Sequence, residues 1–144
     1  MTRQRRTRVL VLGDPSLRRN FADEVRASAE VTLVATPRVG LVLVTVRESA
    51  RRSLFHLGEV LVTEAKVRVS GVPGLGILQG RDLDAALDLA VVDAAWNAGL
   101  PLTAGWISRM EAAETALEAT LDREQAALAA TRVEFETLDQ GSAP

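Results

Sequence analysis

The stretch that decides the fold is LVTEAKVRVSGVPGLGIL, residues 61–78. From Leu61 to Val69 every second residue is apolar or threonine, and charged residues fill most of the alternate positions. This period of two predicts a half-buried strand. The glycines and proline that follow predict a turn, after which residues 75–78 return as a short antiparallel strand. The middle of the chain is therefore expected to form an antiparallel meander.

Two further apolar runs precede this pair. Residues 31–35 and 41–46 are rich in valine, leucine and threonine and are separated by Pro37 and Gly40, which predicts two strands joined by a tight turn. The second run is apolar on both faces near its start. We therefore expect it to be a central strand that is covered on both sides, rather than an edge strand.

Along the chain, helices are expected before and after the strands. Asp14 followed by a proline is typical of a helix start and predicts a helix over residues 14–28. Residues 3–12 are ambiguous, because their arginines favour a helix whereas VLVL at 9–12 has the composition of a strand. A helix over 82–98 is apolar on much of its circumference, so it needs a second cover, either the C-terminal helix or another subunit.

The C-terminal quarter of the chain predicts one long helix. Residues 103–138 contain no proline and are rich in alanine, glutamate and leucine. This helix could project into a partner, or it could form an ordinary antiparallel hairpin with residues 82–98. The residues that we predict to contact a partner are Trp96, Trp106, Met110, Leu117, Leu121 and Leu128. The sequence thus predicts an α+β fold, a small meander packed with helices in one domain over residues 1–139, with a disordered tail at 140–144.

Composition excludes several functional classes. The chain has 144 residues and no cysteine, so it cannot by itself supply a thiolate nucleophile or ligate an iron–sulfur cluster. Its formal net charge of -2 argues against a general nucleic-acid binder. No stretch is long and apolar enough for a membrane span, so we expect a cytoplasmic protein. Six arginines in residues 1–19 and eight acids in residues 111–139 indicate either charge-steered docking to partners or two solvated helix faces.

Few residues offer catalytic or metal-binding chemistry. His56 is the only histidine and no nucleophile motif surrounds it, so we predict no catalytic or metal-binding role for it. Asp82, Asp84 and Asp88 lack the spacing of a calcium loop, and Asp82 and Asp84 suit helix capping. We therefore expect no catalytic residue and no metal site.

The best candidate for anion binding follows the last strand. Gln79, Gly80 and Arg81 stand where a strand ends and a helix begins, so that unpaired helix N–H groups and a guanidinium could bind a phosphoryl group. The alternative is that Arg81 forms an ordinary ion pair with a nearby acid, such as Asp82.

Four sequence blocks, in this order, resemble the PhnG family, the G subunit of the bacterial carbon–phosphorus lyase system. They are GLV at 40–42, FHLGEVLVTEAKV at 55–67, LQGRD at 78–82 and ATRVEF at 130–135. The resemblance covers roughly residues 3–138. Members of this family usually open with an amphipathic helix, which implies a helix over residues 3–12.

The resemblance implies an accessory subunit of a cytoplasmic complex that also contains PhnH, PhnI and PhnJ and works with PhnL. This complex forms α-D-ribose 1-methylphosphonate 5-triphosphate by displacement of adenine from MgATP by methylphosphonate. The nucleosidase chemistry is attributed to PhnI, and the later radical cleavage to PhnJ with its iron–sulfur cluster. The resemblance thus implies that MgATP is a substrate of the complex and that this chain alone binds no cofactor. From its charge and its lack of a long apolar stretch we expect neither nucleic acid nor a membrane as a partner.

Two alternatives are also compatible with the sequence. The chain could be a self-sufficient transferase that binds nucleotide or phosphonate through Arg81. It could also be a structural homodimer without a phosphonate role, formed by its C-terminal helices across a two-fold axis. Self-association of the isolated chain is expected in either the subunit or the homodimer interpretation, because much of its helix surface is apolar.

Overall fold

The computed structural model describes residues 1–48 and 53–130. Within these ranges the helices are α1 (Arg3–Leu12), α2 (Pro15–Ser28), α3 (Leu83–Asn97) and α4 (Trp106–Ala130), with a 3₁₀ turn at Pro101–Gly105. The strands β1 (Val31–Arg47), β2 (Leu54–Val69) and β3 (Val72–Gln79) form one antiparallel sheet in that order. This confirms the α+β class and the meander. The predicted end of the last helix at 138 and the tail at 140–144 lie outside the described residues.

The N-terminal segment is helical, as the family resemblance implied. The hydroxyl of Thr2 accepts the Arg5 backbone N–H at 3.3 Å and caps α1. Val9 and Leu10, which look like strand residues in the sequence, are buried in the core, so tertiary packing decides their conformation. The Asp14 carboxylate caps α2 by accepting the Ser16 N–H at 2.8 Å, as its position before a proline predicted.

The core lies on both sides of α3, which packs against one face of the sheet and is covered on its other side by α1, α2 and the start of α4. Thr63, Ala65, Val67 and Val69 are buried on that face, which confirms the half-buried strand. α3 packs closely on β3 because β3 carries glycine at its contact points. A Cβ built on Gly76 would lie 2.1 Å from the Ala86 carbonyl oxygen, and one on Gly74 would meet the backbone of α3 in the same way. The chain reverses between β2 and β3 at Ser70 and Gly71, which both have positive φ.

The prediction of two strands in residues 31–46 is wrong. β1 runs through Pro37 and Gly40 without a turn, and its register with β2 shifts between Leu33 and Ala35 and again before Arg38. These irregularities let the proline stay in an edge strand, where its missing N–H costs no ladder bond. The prediction that residues 41–46 form a covered central strand is also wrong, because β1 is an edge strand and this part of it is largely exposed.

The C-terminal helix packs differently from a hairpin. The 3₁₀ turn at Pro101–Gly105 redirects the chain, so that the first half of α4 lies against α1 rather than along α3. From Glu118 onward the described residues of α4 are exposed except Leu121, which is half-buried. α4 therefore projects beyond the body of the domain. None of the helices in the described part of the chain combines the length and hydropathy that crossing a membrane requires.

Candidate partner-docking surface and anion site

The sheet extends beyond its helices as a two-stranded ribbon. We define the distal ribbon as residues 41–47 of β1 paired with residues 54–61 of β2. The ladder between β2 and β3 ends at Val62 opposite Gln79, whereas β1 and β2 remain paired to Arg47 opposite Leu54. No third strand accompanies the distal ribbon within the described residues. A two-stranded ribbon in water is marginally stable at best, so we expect another protein surface to pack against this element.

The distal ribbon is apolar on both faces. Leu41 and Leu61 are paired on the face that continues the core, while Val42 and Val60 are paired on the opposite face. Eight large apolar side chains of the ribbon are exposed, with Leu57 at 65% and Leu54 at 64%. The others are Leu41, Val42, Leu43, Val46, Phe55 and Leu61. Exposed apolar side chains in such number are typical of a protein–protein interface.

The predicted interface residues on α3 and α4 divide into two groups. Trp106, Met110 and Leu117 are buried within this chain. Trp96 and Leu121 are half-buried, whereas Leu128 is 71% exposed on the projecting part of α4. Packing within this chain thus accounts for Trp106, Met110 and Leu117. Contact of any of the six residues with a partner stays a prediction.

Trp106 anchors α4 to the rest of the domain. Its ring stacks on Phe21 with centroids 4.4 Å apart and meets Trp96 at 5.4 Å. Its indole N–H donates to Glu24 Oε2 at 2.6 Å, and Arg109 donates to the other carboxylate oxygen, also at 2.6 Å. Burial alone would raise the pKa of Glu24, but these two hydrogen bonds outweigh it, so that the pKa lies below its ordinary value.

The basic and acidic ends of the sequence meet within the chain. Arg5 Nε donates to Glu114 at 2.9 Å, and Arg8 lies 4.0 Å from Glu118 in the next turn of α4. The hydrogen bond from Arg5 lowers the pKa of the Glu114 carboxyl against the opposing effect of burial. At least some of the N-terminal arginines and C-terminal acids therefore hold α1 against α4. This role differs from both docking to partners and solvation of two helix faces.

Asp93 is a structural residue that the sequence did not single out. Its carboxylate accepts two hydrogen bonds from Arg3, at 3.0 and 2.7 Å, and the Leu75 backbone N–H at 3.1 Å. It thereby links α1, α3 and the outer edge of β3. An aspartate on an apolar helix face was a signal that could have identified it, since a buried carboxylate requires partners.

The predicted anion site has a defined backbone geometry. Gly80 has a φ of +93° and its carbonyl oxygen accepts the Thr63 hydroxyl at 2.7 Å. Thr63 Oγ1 accepts the Asp82 N–H at 3.2 Å, and the Asp82 carboxylate caps α3 by accepting the Ala85 N–H at 2.8 Å. Asp82 therefore acts as the predicted helix cap.

Arg81 and Gln79 are exposed beside this turn. In the described part of the chain, Arg81 forms no ion pair with Asp82 or with any other acid. The intrachain ion pair that would have explained Arg81 is thus not observed among these residues. Its guanidinium is accessible to an anion or to an acidic side chain of a partner.

The remaining titratable candidates do not form a site. His56 lies in the distal ribbon opposite Thr45. The Asp88 carboxylate accepts a hydrogen bond from Arg26 at 2.7 Å, and Asp84 lies in the first turn of α3. Residues 1–48 and 53–130 contain no cluster of three histidine or acidic side chains that could hold a metal ion.

A family model described as "Phosphonate metabolism protein PhnG" matches residues 1–141. The chain belongs to the PhnG family. A curated relative from Rhizobium meliloti (strain 1021) is 35% identical over 135 residues, which cover 90% of this chain and 81% of the relative. That relative is named alpha-D-ribose 1-methylphosphonate 5-triphosphate synthase subunit PhnG. The distal ribbon, the projecting half of α4 and Arg81 are therefore features of a PhnG family chain.

Proposed function

We propose that this chain is an accessory, non-catalytic subunit of an α-D-ribose 1-methylphosphonate 5-triphosphate synthase within a carbon–phosphorus lyase core complex. The observation that carries the proposal is the distal ribbon, with eight exposed apolar side chains and no third strand in the described residues, in a chain whose relative is named as a synthase subunit. Exposed apolar patches of this extent mark interaction sites, which agrees with a subunit that docks onto partners.

The proposed partners are PhnI, PhnH and PhnJ, with PhnL acting functionally, in the cytoplasm. The complex would use MgATP and methylphosphonate. The bond from C1′ of the ribose to adenine breaks, and a bond from C1′ to a phosphonate oxygen forms, so that adenine leaves. Residues 1–48 and 53–130 contain no cluster of histidine or acidic side chains that could hold a metal ion, and we assign the reacting groups to other subunits.

Arg81 is the residue of this chain that we propose to contact the substrate. It lies beside the start of α3, where Asp82 satisfies the Ala85 N–H, and the guanidinium is exposed. Arginine recognises phosphoryl oxygens bidentately, so Arg81, with Gln79 and Gly80 beside it, could hold the triphosphate or the phosphonate at a subunit boundary. This would be a binding role, since a guanidinium does not transfer the proton or form the new bond here.

A gene deletion tests the function in the cell. A strain that lacks this chain should fail to grow on methylphosphonate as its phosphorus source but should grow normally on inorganic phosphate. The wild-type gene should restore growth, and a copy with His56→Ala should restore it as well, because His56 has no catalytic partner in the described structure. Normal growth of the deletion strain on methylphosphonate would refute the proposed function.

The self-sufficient transferase remains a second hypothesis. The accessible Arg81 is the observation in its favour. Purified chain alone, supplied with MgATP and methylphosphonate, should release no adenine if the subunit proposal is right, and should release it if the chain is an enzyme by itself. The family match argues against a homodimer without a phosphonate role.

A further inference from the structure

We propose that two copies of this chain pair through the free edge of β2 in the distal ribbon, residues 55–60. The pairing is antiparallel about a two-fold axis and joins two ribbons into one four-stranded sheet. It uses a backbone edge, so both apolar faces of the joined sheet remain available to other subunits. The inference goes beyond the proposed function, because the contact can form in the isolated chain.

The free edge begins where β3 ends. The last β2–β3 pair is Val62 with Gln79, and the Leu61 carbonyl oxygen then accepts the Gly80 N–H at 2.9 Å. Leu61 therefore directs its backbone groups away from β1, and by strand alternation Glu59 does the same. Among residues 1–48 and 53–130 no strand pairs with these groups, so they form an edge of the kind to which other strands add.

The register with β1 shows how far this edge extends. Gly58 lies opposite Val44 and His56 lies opposite the next residue, Thr45, so Leu57 is an extra residue in β2. Because of this extra residue, the backbone N–H and C=O groups of His56 point to the same side of β2 as those of Glu59. Both residues thus present their N–H and C=O groups to the free edge.

The side chains along this edge are complementary to themselves. With the two-fold axis between residues 57 and 58, Phe55 of one copy faces Val60 of the other. His56 then faces Glu59, and Leu57 faces Gly58. Apolar residues meet apolar residues or glycine, and the one titratable pair joins a base with an acid. Because of the two-fold symmetry, each of these pairs occurs twice.

The outer edge of β1 is less suited to the same role. The apolar run of β1 is flanked by Arg38, which is paired with Glu64 at 3.0 Å, and by Arg47. Self-pairing that sets these two arginines opposite each other offers no acid–base pair of the kind that His56 and Glu59 form. Pairing at β2 also removes a physical weakness of the ribbon. Two strands alone are marginally stable in water, whereas a sheet of three or more strands with an apolar face is more stable.

Cysteine cross-linking tests the contact directly, because the chain has no cysteine of its own. Two tagged populations, one with His56→Cys and one with Glu59→Cys, are mixed and oxidised. Residues opposite each other in a sheet lie about 5 Å apart at Cα, within the range of a disulfide. We expect a covalent dimer carrying both tags. A matched pair at other exposed positions, Leu12→Cys with Arg19→Cys, should not cross-link.

Sedimentation equilibrium of the uncross-linked full chain gives the second test. His56→Glu sets two glutamates against each other and should weaken the dimer at least tenfold, while the exchange His56→Glu/Glu59→His should restore it to within about threefold. Arg19→Glu, a reversal at an exposed position on α2, should leave the dimer unchanged. Circular dichroism verifies that each variant is folded.

Three results would overturn the proposal. One is a wild-type chain that stays monomeric at concentrations well above those at which the complex forms. Another is a dimer that dissociates no more with His56→Glu than with Arg19→Glu. The third is cross-linking of the His56→Cys and Glu59→Cys variants only to a different subunit in the co-expressed complex, which would assign the edge to that subunit. The first of these results, together with complex formation by PhnI, would refute this inference and leave the proposed function intact.

Discussion

The indole N–H of Trp106 donates to the carboxylate of Glu24 at 2.6 Å, while the same ring stacks on Phe21. This one residue fixes the start of α4 to α2. The start of the projecting helix is therefore held in place, because the ring is packed against Phe21 and the indole N–H is hydrogen-bonded within the domain.

Removal of this anchor should destabilise the whole domain. Trp106→Ala should lower the free energy of unfolding by about 3–5 kcal/mol, and Trp106→Phe, which loses the hydrogen bond but keeps a ring, by about 1–3 kcal/mol. The neighbouring Ile107→Ala, at a 43% exposed side chain, is the control and should cost less than either. Urea unfolding measures all three. Equal costs for Trp106→Ala and Ile107→Ala would show that Trp106 is not an anchor.

Gly76 sets the distance between β3 and α3. Gly76→Ala should cost about 3 kcal/mol, because the new methyl group would lie 2.1 Å from the Ala86 carbonyl oxygen and the helix must move. Gly40→Ala is a matched control in β1, where a Cβ meets nothing within 4 Å. Thermal unfolding should show a lower Tm for Gly76→Ala alone. A shift no larger than that of Gly40→Ala would contradict the close packing.

Much of this fold follows from sequence periodicity. The alternation in residues 61–69 and the capping residues Asp14 and Asp82 act locally, so their structures were predictable. β1 was not, because the proline and glycine that resemble a turn are accommodated by register shifts against β2. The direction of α4 depends on Glu24 and Glu114, whose partners are distant in sequence. At the candidate sites the sequence identified Arg81 but not the distal ribbon, because the apolar composition of residues 41–46 predicts a covered central strand.

The acidic anchors of α4 should make stability depend on pH. The pKa of Glu24 and that of Glu114 lie below the ordinary glutamate value of 4.5, so at acidic pH the unfolded chain binds more protons than the folded one. Their stabilisation is complete above this value and is lost as the pH falls through the lower, folded pKa values. Glu24→Gln should reduce the slope of unfolding free energy against pH below about 5, measured by urea titration.

The control for this titration is Glu30→Gln, at an exposed site before β1, which should keep the wild-type slope. A Glu24→Gln chain with an unaltered slope would contradict the contribution of the Glu24 carboxylate. An increase of stability on acidification of the wild-type chain would contradict the predicted direction of the pH dependence.

Arg81 should affect substrate binding rather than assembly. In the reconstituted complex, Arg81→Ala should raise KM for MgATP or methylphosphonate about tenfold or more, and Arg81→Lys should recover only part of this loss because it keeps the charge without the bidentate fork. Arg19→Ala, at an exposed position on α2, is the control. Wild-type rates and affinities with both Arg81 variants would exclude a ligand role. Loss of assembly with both would identify Arg81 as an interface residue instead.

The most direct test of the central claim is co-expression of this chain, tagged, with PhnH, PhnI and PhnJ from the same bacterium. We expect one discrete complex in size-exclusion chromatography, containing every subunit in fixed ratio, and formation of α-D-ribose 1-methylphosphonate 5-triphosphate when PhnL, MgATP and methylphosphonate are added. The untagged subunits without this chain should not form the product. A tagged chain that elutes alone, apart from the other three, would contradict the claim that it is a subunit of this synthase.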